Sequence, residues 1–213
     1  MANVVLFFHN NFTERDILQV NFIFDFGNVL VDFKPVVYLK GLFSDNSLVE
    51  KLTDIVFLCP EWLLMDQGLL THAEATEILC AREPEYREEI KLAIKNANGI
   101  VTYINETIEL LPKIKSSGHK LYYLSNMHKE IGEFILKDHE YISLFDGGVF
   151  SCDIHSIKPS PEIYRYLLNK YDLIPEECVF FDDVEENVAA AEKEGIKGVL
   201  FTTAECVMDY MDL

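Results

Sequence analysis

Basic residues are scarce in this chain. Its 213 residues include 18 Lys and Arg against 36 Asp and Glu, which gives a formal net charge of −18 at pH 7. Nucleic acids and anionic membranes bind proteins largely through Lys and Arg, so this balance predicts neither as a partner. It also disfavours a phosphorylated small molecule at long range, but salt screens that repulsion beyond roughly 8–10 Å. A phosphate site would therefore depend on a few local cations.

The chain also lacks paired cysteines and long apolar runs. Its five cysteines are scattered and form no C-x-x-C pair. This spacing disfavours a disulfide framework or a zinc site and fits a reducing cytosol. No apolar run approaches the ~20 residues that span a bilayer. The apolar run at 4–8 is short and follows no basic residue, unlike a signal peptide. We therefore expect a cytoplasmic protein without a membrane partner.

Apolar residues, by contrast, make up 49% of the chain and can form a packed core. Five apolar runs predict buried strands, with helical patterns between most of them: 20–25, 120–124, 148–150, 178–181 and 198–201. This alternation predicts an α/β fold, a Rossmann-like parallel sheet covered by helices on both faces. We assign this three-layer core to residues 19–33 and 98–213, and leave residues 1–18 as an N-terminal extension of uncertain structure.

Residues 34–97 have a different pattern. Apolar residues recur there every three or four positions, which predicts helices at 36–43, 47–58, 72–81 and 84–97. Ser47 with Glu50, and Thr71 with Glu74, have the spacing of helix N-caps. We expect an all-helical cap domain inserted after the first strand. Beyond it, residues 101–116 are predicted to form one helix that ends at Ser117 and Gly118.

Polar residues that can do chemistry follow several predicted strands. Ligands of open α/β sheets bind outside the carboxyl ends of the strands. Taken singly, each residue has a common structural explanation, such as a turn, a solvated lysine or a helix cap. Their shared position at one edge of the sheet predicts a single site. The candidate residues are Asp25-Phe26-Gly27, Ser125-Asn126, Lys158 and Asp182-Asp183.

These residue types suit phosphoryl transfer, which needs positioning and charge stabilisation above all. Asp25 is the predicted nucleophile, because a carboxylate can attack phosphorus and form an aspartyl-phosphate. A hard cation would offset the repulsion between this carboxylate and the phosphate. Mg²⁺ prefers oxygen ligands. We predict that Asp25, the carbonyl of Gly27 and Asp183 bind the metal ion. Asp182 would be a further ligand or would contact these ligands.

The remaining candidates would hold the phosphoryl group. Lys158 would neutralise charge on the phosphoryl oxygens and on Asp25, and is therefore predicted as catalytic as well as phosphate-binding. The hydroxyl of Ser125 would bind the same oxygens. Backbone N–H groups that follow Asp25 and Ser125 would complete the set. They belong to Phe26, Gly27 and Asn126.

Four segments resemble, in order, the motifs of the haloacid dehalogenase superfamily: 25–30, the strand ending in Ser125-Asn126, 158–164 and 182–187. The resemblance covers about residues 19–213. It implies a Mg²⁺-dependent phosphatase with a helical cap of the superfamily's first type. Residues 61–68 resemble bacterial sugar phosphatases, including those that act on glucose 1-phosphate. The expected partner is therefore a small phosphorylated metabolite, in particular a sugar phosphate.

Gly27 departs from the superfamily's phosphatases, which usually carry a second Asp there as acid and base. Glucose-1-phosphatase-like relatives resemble this chain in having Gly at that position. The proton donor would then be Asp32, a cap residue, metal-bound water or the substrate itself. Asp32 also has a more common structural interpretation, in which it caps a helix N-terminus or forms part of a turn.

Three other functions remain as alternatives. A 2-haloacid dehalogenase of the same fold needs no Mg²⁺ and lacks the acid pair, so Asp182 and Asp183 argue against it. A non-catalytic phospho-ligand-binding homologue would explain Gly27. A phosphomutase ranks last, because it usually needs the acid that Gly27 replaces.

Overall fold

The computed structural model describes residues 19–138 and 140–211, so the predicted N-terminal extension at 1–18 lies outside the described residues. Its strands are β1 (Asn21–Phe24), β2 (Val31–Asp32), β3 (Thr102–Tyr103), β4 (Lys120–Ser125), β5 (Gly147–Phe150), β6 (Cys178–Asp182) and β7 (Lys197–Leu200). Five of them form a parallel sheet in the order β5-β4-β1-β6-β7, and β2 pairs with β3.

The central sheet is apolar because both of its faces are covered. Side chains alternate between the faces along a strand. Phe22 and Phe24 of β1 stack with Phe181 of β6, at centroid distances of 5.9 and 5.1 Å. Ile23, between them, belongs to a second apolar cluster with Phe180. The predicted parallel α/β core of Rossmann-like topology is confirmed, and β1 lies at its centre.

The helices are α1 (Pro35–Leu42), α2 (Asn46–Leu52), α3 (Pro60–Asp66), α4 (His72–Arg82), α5 (Arg87–Lys95), α6 (Asn105–Ile108), α7 (Leu111–Ser116), α8 (Lys129–Asp138), α9 (Pro161–Lys170), α10 (Glu185–Lys193) and α11 (Glu205–Met208). Helices α1–α5, together called the helical segment below, lie between β2 and β3. Thr71 and Glu74 form the predicted capping box of α4. Asp45, not Ser47, caps α2. The division into core and cap domains stays a prediction.

Residues 101–116 do not form the single helix predicted for them. Thr102 and Tyr103 pair antiparallel with β2, and the backbone N–H of Ile104 donates to the carbonyl of Leu30 at 2.9 Å. These bonds to a distant part of the chain override the local helical pattern. Pro112, which lacks a backbone donor, lies in the first turn of α7 and suits a new helix start. The β2–β3 ribbon thus joins the two ends of the helical segment beside the sheet.

The turn after α3 rests directly on the loop that follows β5. The Ser151 hydroxyl donates to the carbonyl oxygen of Asp66, and His155 Nδ1 lies 2.8 Å from the carbonyl oxygen of Gln67. Gly68 has a φ of +66° there, and a Cβ at this position would collide with the carbonyl of Cys152. Only glycine adopts this conformation readily and leaves room for the contact. Within 19–138 and 140–211, no helix combines the length and apolar character needed to cross a membrane.

Candidate active site

Asp25 follows β1 at the centre of the sheet edge and is buried, with 7% of its surface exposed. Lys158 reaches it from the loop before α9. Its Nζ lies 2.9 Å from Asp25 Oδ1 and 2.6 Å from Asp182 Oδ2. The structure therefore brings three of the predicted residues into direct contact, although they are far apart in the sequence.

Asn126 holds the loop that carries Lys158. Its Nδ2 donates to the carbonyl of Lys158 at 3.1 Å, and its Oδ1 accepts the backbone N–H of Lys158 at 2.8 Å. This pair of bonds fixes the start of the lysine side chain. The ammonium group then also lies 5.3 Å from the centre of the Phe180 ring. The side chain of Asn126 is thus engaged in positioning Lys158.

The two acids of the predicted pair have different surroundings. Asp182 is fully buried and accepts from the backbone N–H of Val184, from Asn187 Nδ2 and from Lys158 Nζ, at 2.9, 3.0 and 2.6 Å. Asp183 is partly exposed and accepts from Asn28 Nδ2 at 2.8 Å. Asp183 therefore keeps more lone-pair capacity for a ligand than Asp182 does.

The acid group fits a divalent metal ion. One oxygen each of Asp25, Asp182 and Asp183 lies within 4.8 Å of the others. Carboxylate oxygens are the hard ligands that Mg²⁺ prefers. Three carboxylates against the single ammonium of Lys158 also leave negative charge uncompensated. Gly27 lines the same cavity, and a Cβ there would meet Asp25 Oδ2 at an ordinary 3.6 Å. Close packing therefore does not require glycine at this position.

Burial and neighbouring charges shift the ionisation of this group. Burial is the main cause that raises the pKa of Asp25 to about 6; Lys158 opposes the rise, and Asp182 adds to it. Burial would lower the pKa of Lys158, but Asp25 and Asp182 outweigh it and raise that pKa above its usual value. Lys158 therefore stays cationic at neutral pH, while a cation beside Asp25 would favour its ionised form.

The predicted phosphate-binding residues surround Asp25. The backbone N–H of Phe26 donates to Asp25 Oδ1 at 2.8 Å, and its ring is buried against Tyr123 and Phe150. Ser125 is buried at the end of β4, and its hydroxyl interaction with Asp25 lowers the pKa of that carboxyl. In this structure the backbone N–H of Phe26 thus orients the predicted nucleophile.

The sequence did not single out Asn28, which bridges two motifs. Its φ is +53°, a conformation that Asn tolerates better than most residues. Its Oδ1 accepts the backbone N–H of Phe33 at 3.1 Å while its amide donates to Asp183. The available signal in the sequence was the Gly27-Asn28 pair that follows Phe26, because such a pair indicates a turn. The partner of the amide could be found only from the tertiary structure.

A cavity of about 230 Å³ opens beside Asp25, and Asp32, Asp66 and His128 also line it. Burial is the largest cause that raises the pKa of Asp66 to about 7, and the negative charge of Asp25 adds to it. His128 Nε2 lies 3.2 Å from Asp66 Oδ1. Burial lowers the pKa of His128 to about 3, so its ring is neutral at physiological pH. Asp32 Oδ2 instead accepts from Lys34 Nζ at 2.7 Å.

Comparison with known proteins identifies the family. The model of the haloacid dehalogenase-like hydrolases matches residues 21–195. The chain belongs to this family. The resemblance read from the sequence motifs, and the expectation of a hydrolase, are therefore confirmed.

Curated relatives of this haloacid dehalogenase-like (HAD-like) hydrolase differ in their named substrates. A sesquiterpene phosphatase of Aspergillus oryzae is 25% identical and is aligned over 84% of this chain and 88% of its own. A phosphorylated carbohydrates phosphatase of Thermotoga maritima is 26% identical, over 83% and 82% of the two chains. An (S)-2-haloacid dehalogenase of Burkholderia cepacia is 28% identical, over 65% of this chain and 57% of its own.

Solved structures share the fold. A HAD family enzyme of Bacteroides thetaiotaomicron, in complex with magnesium and inorganic phosphate, aligns with a TM-score of 0.69 over 87% of this chain and 95% of its own. Its sequence is 21% identical to this one, so the likeness describes the fold.

Proposed function

We propose that this HAD-like hydrolase is a magnesium-dependent phosphatase that cleaves small phosphate monoesters through an aspartyl-phosphate on Asp25. The observation that carries the proposal is the contact of Lys158 with both Asp25 and Asp182, beside a third carboxylate, Asp183. This arrangement suits the attack of a carboxylate on an anionic phosphate, which needs charge compensation at the reacting atoms. The free thiols of all five cysteines fit the proposed cytoplasmic location.

In the proposed reaction, a carboxylate oxygen of Asp25 attacks phosphorus and the ester P–O bond breaks. The leaving oxygen takes a proton from an acid in the cavity. A water molecule then attacks the aspartyl-phosphate, returns a proton to that acid and releases inorganic phosphate with free Asp25. Lys158 stabilises charge on the phosphoryl oxygens in both steps. Bound at Asp25 and Asp183, Mg²⁺ would supply further charge compensation as a Lewis acid.

We assign the proton donor to Asp66, at the end of α3. Its carboxyl lines the cavity, and its raised pKa of about 7 keeps a large protonated fraction near neutral pH. An acid–base group works best with a pKa near the working pH. Asp32 lines the cavity too, but its Oδ2 is engaged by Lys34 Nζ at 2.7 Å, which leaves it less available to a leaving group than Asp66. The helical segment would thereby supply the acid that Gly27 cannot.

Asp66→Asn is therefore expected to lower kcat by about 10²–10⁴-fold for esters of alkyl alcohols, because Asn cannot donate a proton to the leaving oxygen. For an aryl phosphate, whose leaving group needs less help, the loss should be much smaller. The donor must be protonated, so kcat/KM of the unmodified protein should fall as pH rises through about 7. In Asp66→Asn that decline should be absent. Steady-state rates from pH 5 to 9 measure both effects.

Gly27→Asp provides a matched rescue. The space at Gly27 accepts a side chain, and a carboxyl there would lie beside Asp25. In the Asp66→Asn background it should restore part of the lost turnover of alkyl phosphates. Equal losses for alkyl and aryl esters in Asp66→Asn, with the pH profile unchanged, would exclude Asp66 as the donor.

The direct test is an assay of phosphate release from phenyl phosphate and a panel of sugar phosphates, with Mg²⁺ or with a chelator. Turnover that the chelator abolishes supports the proposal. Halide release from a 2-haloacid without metal would support the dehalogenase alternative, and phosphate-ester binding without hydrolysis would support the non-catalytic one. The relatives support two substrate classes, phosphorylated carbohydrates, as expected from the sequence, and phosphorylated terpenoids.

A further inference from the structure

Apolar side chains line the cavity together with the carboxylates. They come from three parts of the fold: β2 with the residues that directly precede β3, helix α3, and helix α8. Ile131 and Ile135 lie one turn apart on α8 and are buried, with 4% and 0% of their surfaces exposed. The other wall residues used here are Val31, Trp62, Ile100 and Val101. We call these six residues the apolar wall.

The apolar wall is part of the packed core. Val31, Ile100, Ile131 and Ile135 all belong to the main apolar cluster, and Trp62 and Val101 pack against that cluster. Interiors packed in this way do not readily rearrange to present polar groups. Trp62 and Val101, which are partly exposed, therefore present a preformed hydrocarbon surface to a ligand, and the four buried residues support them from the core.

Positive charge in the cavity is limited to the phosphate end. Among the described residues that line it, Lys158 is the only Lys or Arg, and its ammonium already contacts Asp25 and Asp182. Asp32 and Asp66 are the other ionisable acids away from the metal-binding group. A second phosphate or a carboxylate on the substrate would find no cationic partner here and would face these acids. This disfavours bisphosphates, nucleotides, phosphorylated acids and 2-haloacids.

The apolar wall itself offers a sugar few polar partners, because its one polar side-chain group is the indole N–H of Trp62. Elsewhere in the cavity, His128 Nε2 lies 3.2 Å from Asp66 Oδ1 without a hydrogen-bond partner among the described residues, and Asp32 is paired with Lys34. Hydroxyl groups placed against the wall would give up hydrogen bonds to water without replacement, which is unfavourable. Methylene or ring carbons in the same place would gain from leaving water. The lining therefore discriminates against a polyhydroxylated leaving group.

We propose that the substrate is the phosphate monoester of a compact, uncharged, apolar alcohol, of alkyl, arylalkyl or prenyl type. Its hydrocarbon part lies against the apolar wall while its phosphate lies at Asp25. This inference rests on the proposed phosphatase function and names its substrate class. The sugar phosphate expected from the sequence resemblance is the competing substrate class in the test.

The test compares primary-alcohol esters of similar intrinsic reactivity, so that differences in rate report recognition of the leaving group. 3-Methylbutyl phosphate and 2-phenylethyl phosphate represent the apolar class, and glycerol 3-phosphate and glucose 6-phosphate the hydroxylated class. With Mg²⁺ present, kcat/KM is expected to be about 10–100-fold higher for the apolar pair, from burial of a few methylene equivalents. Equal values, or a preference for the hydroxylated pair, would overturn the inference.

Val101→Thr tests the wall itself, because it replaces a methyl group by a hydroxyl of nearly the same size. It should lower kcat/KM for 2-phenylethyl phosphate about 3–10-fold and leave inhibition by inorganic phosphate unchanged. Val199→Thr, at a half-buried position in β7 that does not line the cavity, is the matched control and should change neither value. The same loss in both variants would contradict a role for the wall.

Binding separates this inference from the proposed hydrolysis. Calorimetry with Asp25→Asn and Mg²⁺ measures affinity without turnover. The apolar esters should bind at least about tenfold more tightly than the hydroxylated ones, with a negative heat-capacity change from burial of apolar surface. Tighter binding of the apolar esters, without hydrolysis by the unmodified protein, would refute the phosphatase proposal and support the apolar site. Equal affinities would overturn the apolar site, whatever the enzyme assay gives.

Discussion

Asp25→Asn is expected to lower phosphate release by about 10⁴-fold or more, because an amide cannot replace the attacking carboxylate. The change removes one charge and keeps the shape of a side chain that contacts Lys158 at 2.9 Å. Acid-quenched protein incubated with a labelled ester should carry a phosphoryl group when Asp25 is present and none when it is replaced. Rapid-quench measurements check both turnover and labelling.

The buried position of Asp25 also allows a check that its replacement leaves the fold intact. Because burial raises the pKa of Asp25 to about 6, its ionised form opposes folding as pH rises from about 4 through 6. Removal of this charge relieves that cost but also takes one of its two carboxylates from Lys158, so the melting temperature of the metal-free protein at pH 7.5 should change little. A lower melting temperature together with lost activity would point to misfolding.

Asp32→Asn is the matched control for Asp25→Asn. It removes the same charge from the same cavity, but at a residue paired with Lys34. We expect turnover within about threefold of the unmodified protein, in line with an exposed ion pair of small energetic value. A loss comparable to that of Asp25→Asn would return Asp32 to consideration as the proton donor. Full activity of Asp25→Asn would refute covalent catalysis at this residue.

Removal of the metal is expected to have an effect of similar size. With a chelator, Lys158 is the one counter-charge beside the three carboxylates among the described residues, and attack on a phosphate is opposed by repulsion. Asp183→Asn should raise the Mg²⁺ concentration for half-maximal activity by at least about 10²-fold, because Asp183 has spare lone pairs and one ligand is lost. Mg²⁺ titrations of phosphate release measure this shift.

Asp182→Asn is expected to behave differently from Asp183→Asn. Asp182 is fully buried and accepts from Lys158, Asn187 and Val184. In the variant, the NH2 group of the amide would face one of these three donors instead of accepting from it. Lys158 would also lose one of its two carboxylate partners. We expect a loss of stability of about 3 kcal/mol and a loss of activity that added Mg²⁺ does not restore. Melting curves with and without Mg²⁺ distinguish the two variants.

Metal binding to the folded state should itself be visible as stabilisation. A saturating ligand at 100 times its Kd contributes about 2.7 kcal/mol. The melting temperature should therefore rise with Mg²⁺ in the unmodified protein and rise much less in Asp183→Asn. Activity and stability that do not respond to the chelator would contradict the proposed metal site and favour the metal-independent dehalogenase.

Local patterns in the sequence were sufficient for the core and for the identity of the candidate residues. Strands buried on both faces must be continuously apolar, so Asn21–Phe24 and Cys178–Asp182 could be located without the structure. The capping box of Thr71 and Glu74 depends on residues three positions apart and was equally visible. Parallel strands with their carboxyl ends at one edge then required the polar residues that follow them to lie near each other.

The tertiary structure alone decided how distant segments complete the site. The pairing of Thr102–Tyr103 with Val31–Asp32 overrode a local helical pattern through bonds to residues some seventy positions away. The contact of Asn28 with Asp183, and the place of Asp66 beside His128, depend on side chains from separate elements. Apolar spacing predicts that a helix face is buried, but not whether it faces other side chains or a ligand. The apolar wall is therefore a property of the assembled fold, because its surfaces meet only when the ribbon, α3 and α8 pack together.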